Sequence, residues 1–163
     1  MKYCPQCATE LRDAQINGEP RKACPVPECG FVNWGNPTPV VAIIVELPEG
    51  VVLAHNVAWP AEFFSIITGF LEADEDPAEC ARRETLEELG LKAQSCKLVG
   101  VYPFAQQNQV IIAYHIEASG EIILNEELDA YRVVAPARLK PWRQGTGLAL
   151  IDWMQARGIT APR

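Results

Sequence analysis

Three glutamates, Glu84, Glu87 and Glu88, stand at i, i+3 and i+4 in a stretch with a helical pattern. At 100° per residue all three share one face. Like charges that close cost about 0.2–0.5 kcal/mol per pair, and a single Arg83, four residues before Glu87, does not neutralise three carboxylates. The plain reading is a solvated acidic face; the chemical one is a site for hard divalent cations held by oxygen ligands. Near the N-terminus, Cys4-Pro-Gln-Cys7 and Cys24-Pro-Val-Pro-Glu-Cys29 form a C-x2-C…C-x4-C array with sixteen residues between the pairs. Two short knuckles converging on one zinc ion is the tetrahedral solution for a module too small to build an apolar core. Four thiolates would close the coordination shell, so this zinc would be structural. The rival, a redox Cys-x-x-Cys, has no need of the second pair.

The elements that position these groups follow from local pattern. Asp76 reads as an N-cap, Pro77 as the first helical residue and Glu79 as the partner of a capping box. The helix then runs to Leu89 and stops at Gly90. In it, Ala78, Thr85, Leu86 and Leu89 face away from the glutamates, toward a sheet. Runs of β-type residues mark strands over 40–47, 51–55, 63–67, 97–104, 110–118, 121–124 and 130–134, with Pro48-Glu49-Gly50 turning the first two into a hairpin. A second amphipathic helix spans 146–156, closed by Gly158. Strands outnumber helices and the helices fall late, which implies an α+β fold: a mixed sheet with helices on its faces.

With 163 residues the chain holds one full domain and at most one small module. Residues 1–36 carry four of the six cysteines and almost no core, so the expected division is a zinc ribbon over 1–36 and a larger domain over 37–163. The longest apolar run, 40–45, is far below the ~20 residues of a membrane span. Without an export signal the cysteines are expected in a reducing, cytoplasmic setting. The net charge is −7 and no stretch gathers Lys and Arg into a stripe. Such a field disfavours extended nucleic-acid binding, and it would repel a small phosphate ester too unless bound cations reverse it locally.

The stretch GFLEADEDPAECARRETLEELGL, residues 69–91, resembles the Nudix box, G-x5-E-x7-R-E-U-x-E-E-x-G-U, at Gly69, Glu75, Arg83, Glu84, Glu87, Glu88, Gly90 and Leu91. Thr85 departs from it, standing where the pattern asks for a bulky aliphatic. The resemblance implies an α/β/α sandwich that holds magnesium or manganese and hydrolyses a nucleoside diphosphate linked to another moiety. By position it makes Glu84, Glu87 and Glu88 catalytic metal ligands, with Glu84 also able to orient the attacking water. It makes Gly69 the site of a tight backbone turn, the Thr68 carbonyl a further ligand, and Glu75 and Arg83 a brace.

The lead-in FFSIITGFLE, residues 63–72, together with residues 120–130 and 145–154, resembles the NADH pyrophosphatase branch of that family. This match implies that Phe70 stacks on a nucleobase and that Glu126 is an acidic ligand from outside the helix, with Glu127 as the alternative. The branch's Ser-Gln-Pro-Trp-Pro-Phe-Pro stretch corresponds here to VYPFAQQNQV, where only Pro103-Phe104 survives. Phe104 and Gln106, with Gln107 and Asn108 beside it, are therefore the candidate substrate contacts. FAD, NADH and ADP-ribose are the implied substrates, and a homodimer is the implied assembly. His55 and His115 read as structural, and Cys80 and Cys96 as small buried residues. The reading from another class is a non-catalytic nucleotide sensor with the ribbon as interaction module.

Overall fold

The computed structural model describes residues 1–160, which form two compact units, 1–36 and one that begins at Pro37. In the first, β1 (Arg12–Ile16), β2 (Glu19–Ala23) and β3 (Val32–Asn33) form an antiparallel sheet in that order. Asn17 and Gly18 both have positive φ, the requirement of the two-residue turn that matches strand twist. Cys4 and Leu11 are the buried residues of this unit, far too little apolar surface to fold on alone.

The second unit carries β4 (Thr38–Leu47), β5 (Gly50–Asn56), β6 (Ile67–Phe70), α1 (Pro77–Leu89), β7 (Lys92–Ala93), β8 (Lys97–Phe104), β9 (Gln109–Ser119), β10 (Leu128–Val134) and α2 (Thr146–Ala156). The strands form one mixed sheet, β10-β5-β4-β9-β7, with β6 also on β4 and β8 also on β9. β4 is central: it runs parallel to β9 over nine positions, and its other edge is divided between β6 and β5. Such a strand must be apolar on both faces. Val41, Ile43 and Val45 pack on one side with Cys80, Ala81 and Leu89 of α1. Ala42 and Ile44 pack on the other with Ala149, Leu150, Trp153 and Met154 of α2. The α/β/α sandwich implied by the sequence is thus present, each buried Ile or Leu contributing about 1.5–3 kcal/mol.

Four local expectations need correction. The strand placed at 63–67 forms at Ile67–Phe70 instead, because a turn at 59–63, closed by the Phe63 N–H on the Pro60 carbonyl, diverts the two phenylalanines from the ladder. Residues 121–124 form no strand: the Ile123 N–H donates to the Leu89 carbonyl and the Asn125 N–H to the Glu88 carbonyl, so they satisfy the end of α1. Leu86 is exposed, at 53%, rather than turned to the sheet. Asp76 caps α1 through the N–H groups of Ala78 and Glu79, but Glu79 pairs with Arg82 rather than closing a capping box.

Candidate active site and cysteine cluster

β6 and α1 meet at Gly69. A methyl group there would land on the Glu84 side chain, so glycine is required by close approach, and its φ is not positive. The tight turn expected at this residue is absent. Gly69→Ala is therefore expected to displace the Glu84 carboxylate and lower turnover by about 10²-fold, the cost of a ~1 Å misplacement. Unfolding by denaturant should change little by comparison; full turnover in the variant would contradict the assignment of Glu84.

Arg83 is the hub of the charged network. Its Nε and NH2 groups donate to both oxygens of Glu75, at 2.7 and 2.9 Å, and its NH1 group to Glu84 and Glu87, at 2.8 and 3.0 Å. It also donates to the Phe70 carbonyl, while the Glu72 N–H donates to Glu75, so the 70–75 loop is tied to the helix. Arg83 and then the Glu72 N–H hold the Glu75 carboxyl down to about 2. Thr85 is fully buried, and its hydroxyl donates to the Ala81 carbonyl at 2.7 Å, which satisfies the polar group that stands in for an aliphatic.

Glu88 has no such support. It is 8% exposed, and its carboxylate makes no hydrogen bond or ion pair with any described residue. Burial first, then the charges of Glu84, Glu127 and Glu87, push its carboxyl up to about 8. Burial raises Glu84 as well, against the pull of Arg83. An almost buried carboxylate without a partner, among other carboxylates, is the arrangement a bound cation would relieve.

Glu84, Glu88, Glu127, Thr68 and Arg83 line a cleft of about 410 Å³ with Trp59, Gly69 and Phe70. Glu87 is exposed, outside that lining, and bonded to Arg83. Glu127 lines this cleft and Glu126 does not. A bulge in β10 follows, where Leu128 pairs with Asn56 and Ala130 with His55, so that Asp129 is the extra residue. The Val57 N–H donates to the Glu127 carbonyl just before it.

A second cavity, of about 400 Å³, shares the wall formed by Trp59, Thr68, Gly69 and Phe70. Phe63, Phe104 and Trp142 add three more rings, and Gln107, Gln109, Gln144, Ser65 and Thr146 supply neutral polar groups. Its lining carries no charged side chain. Phe70 is 61% exposed, a ring available for stacking. Gln106 lies outside this lining, and Gln107 takes the place expected of it. Trp59 and Trp142 lie far from the glutamates in sequence and carry no motif of their own.

In the first unit the ligand atoms of Cys4, Cys7, Cys24 and Cys29 lie within 4.8 Å of one another, the one such set of three or more among the described residues. Sulfur separations of 3.5 Å for Cys4–Cys29 and Cys7–Cys24 are close to the roughly 3.8 Å edge of a tetrahedron with 2.3 Å zinc–sulfur bonds. They are too long for disulfides. The Thr9 hydroxyl holds the Cys7 thiol down to about 6, while burial and the neighbouring sulfurs raise Cys24 and Cys29. The donor set and geometry fit zinc. The carboxylates of the cleft are spread more widely, with the Arg83 guanidinium between Glu84 and Glu87.

The domain model for the NUDIX domain matches residues 36–153. The chain belongs to the Nudix family. The NAD-capped RNA hydrolase NudC of Pseudomonas aeruginosa is 26% identical over 127 residues, 77% of this chain and 44% of the relative. That of Pseudomonas entomophila is 25% identical over 167 residues, 99% of this chain and 59% of the relative. This Nudix chain therefore spans about half the length of the curated relatives it matches. Among solved structures, a NUDIX hydrolase from Nitrosomonas europaea superposes with a TM-score of 0.77 at 25% identity, covering 100% of this chain and 97% of that one. An ADP-ribose pyrophosphatase from Streptococcus suis shares the fold, with a TM-score of 0.59 at 17% identity over 75% of this chain and 92% of that one.

Proposed function

We propose that this Nudix chain is a metal-dependent pyrophosphohydrolase that cleaves the diphosphate linkage of a dinucleotide or nucleotide sugar. The observation that carries the reading is Glu88, an unpartnered and nearly buried carboxylate lining an acidic cleft. Glu84, Glu87, Glu88, Glu127 and the Thr68 carbonyl would hold magnesium or manganese. A hard divalent cation there would lower the pKa of water and offset the charge of the diphosphate. Glu84, half-buried and steadied by Arg83, would accept a proton from the attacking water.

The neighbouring aromatic cavity takes the base. Five rings and several neutral amides around a space with no charged lining suit a flat, uncharged heterocycle, stacked on Phe70 and hydrogen-bonded by Gln107 or Gln109. The shared wall sets the base beside the acidic cleft, as one ligand spanning both requires. FAD, NADH and ADP-ribose fit that description, and so does the NAD-bearing end of a capped RNA, the substrate named for the NudC relatives. Residues 1–36 are read as a zinc ribbon with a structural ion and residues 37–163 as the Nudix domain.

The test is a panel of FAD, NADH, ADP-ribose and an NAD-capped oligoribonucleotide, incubated with zinc-loaded protein and magnesium or manganese. Mononucleotide products from at least one member are expected. Tight binding of one member with no turnover of any would overturn the hydrolase reading in favour of a nucleotide sensor.

A further inference from the structure

We propose that His55 is a positioning residue for the aromatic cavity, held as an imidazolium between Asp129 and Pro60 so that Trp59 and Phe63 are fixed in the cavity wall. The role rests on the reading of this cavity as the base-binding part of the site.

His55 lies in β5 and is only 6% exposed. Its Nδ1 faces the Asp129 carboxylate and its Nε2 the Pro60 carbonyl, at 3.1 Å. A carbonyl oxygen only accepts, and so does an ionised carboxylate, so both ring nitrogens must carry a proton for both contacts to be hydrogen bonds. A neutral ring would set a nitrogen lone pair against one acceptor and leave that acceptor unsatisfied. The acid comes from 74 residues away, delivered by the bulge that makes Asp129 the extra residue opposite His55. Asp129, foremost among the surroundings, raises the pKa of the ring above the ordinary histidine value, against the effect of burial.

The partner on the other side belongs to the 56–64 segment, which supplies two rings of the cavity. Its ends are tied to the sheet by the Val57 N–H on Glu127 and by the paired backbones of Ala54 and Ser65. Between those ties the Pro60 carbonyl is held by the His55 ring while it also accepts from the Phe63 N–H. Trp59 meets Phe63 edge-on at 5.1 Å, and Phe63 meets Trp142 at 6.2 Å, so a shift of Pro60 moves a connected row of rings. The other groups around the imidazole are the Phe64 ring at 5.5 Å, with the Arg132 guanidinium stacked 3.8 Å above it, and the backbone of Trp59. His55 is absent from the lining of both cavities, so it acts through the segment and not on a ligand.

Loss of the proton removes the donor to Asp129 or to Pro60 and frees the segment. Affinity for the base should then fall as pH rises. The experiment uses the zinc-loaded full chain and AMP as probe, with binding read by tryptophan fluorescence from about pH 6 to 9. ¹⁵N resonances of labelled histidine are followed over the same range. Both His55 nitrogens should carry protons at neutral pH, and AMP affinity should decline as one is lost. Asp129→Asn should bring both changes to lower pH. His55→Leu should weaken AMP about tenfold at every pH, and His55→Gln, whose amide can donate to Pro60 without charge, should restore part of the affinity and remove the pH dependence.

A singly protonated ring at neutral pH, or equal AMP affinity in wild type and His55→Leu, would overturn the role while leaving the cavity's assignment in place. Absence of AMP binding by the wild type at any pH would instead overturn the base-binding reading, and the positioning role with it.

Discussion

Glu88→Gln should abolish turnover and stabilise the metal-free protein at once. The glutamine keeps the shape but cannot lend charge to a divalent cation, so kcat on any substrate the panel identifies should fall by about 10²–10³-fold, the cost of losing one preorganised electrostatic contact. The stability effect has the opposite sign. In the folded chain Glu88 titrates at about 8 instead of 4.5, because it is buried and surrounded by Glu84, Glu127 and Glu87. Between those values the folded form keeps a proton that the unfolded chain has lost. The stability this lends is complete below about 4.5 and is lost as pH rises through 8. Metal-free wild type should therefore weaken over that window, manganese should restore it, and Glu88→Gln should show both trends much reduced. Denaturant unfolding at both ends of the window, with and without manganese, reads all three. A variant that keeps its turnover, or that unfolds more easily than wild type when metal-free, would remove Glu88 from the site.

Stripping zinc should have the largest effect on folding, and it should be confined to residues 1–36. That unit buries only Cys4 and Leu11, so burial contributes little to its stability. Structural zinc contributes about 10–16 kcal/mol at neutral pH in comparable small modules. Chelation, or Cys29→Ser, should leave the amides of β1 to β3 unprotected in hydrogen exchange. Those of β4 and β9 should stay protected, because the core around them contains no cysteine of the cluster. Turnover should be lost later than ribbon protection. A ribbon that keeps its protection without metal, or a zinc content well below one ion per chain, would contradict the structural role.

The sequence made the central elements readable for a physical reason. The apolar run of β4 and the signals at both ends of α1 are local, and local patterns determine where a strand or helix forms. The same holds for the carboxylate face, which is set by helical spacing alone. The bulge in β10 was not readable, because it depends on how two strands far apart in the chain meet. That single insertion brings Asp129 to His55. Gly69 was legible as a required glycine but for the wrong cause, since the demand comes from a helix fifteen residues on. The two-residue turn at Asn17-Gly18 did have a signal, an Asn-Gly pair, that the β-ribbon of the first unit could have been built on. The aromatic cavity gathers Trp59, Phe63, Phe70, Phe104 and Trp142 from separate loops and strands, and only the tertiary fold brings them together.

The account depends on hard cations binding where the carboxylates of α1 and Glu127 meet. Crystals of the zinc-loaded protein soaked in manganese, with anomalous scattering recorded near the manganese edge, test this directly. The account predicts a peak in contact with Glu88 and at least one of Glu84, Glu87 and Glu127, absent from crystals of Glu88→Gln. A map with no such peak beside Glu88, or one with the same peak in the variant, would contradict it.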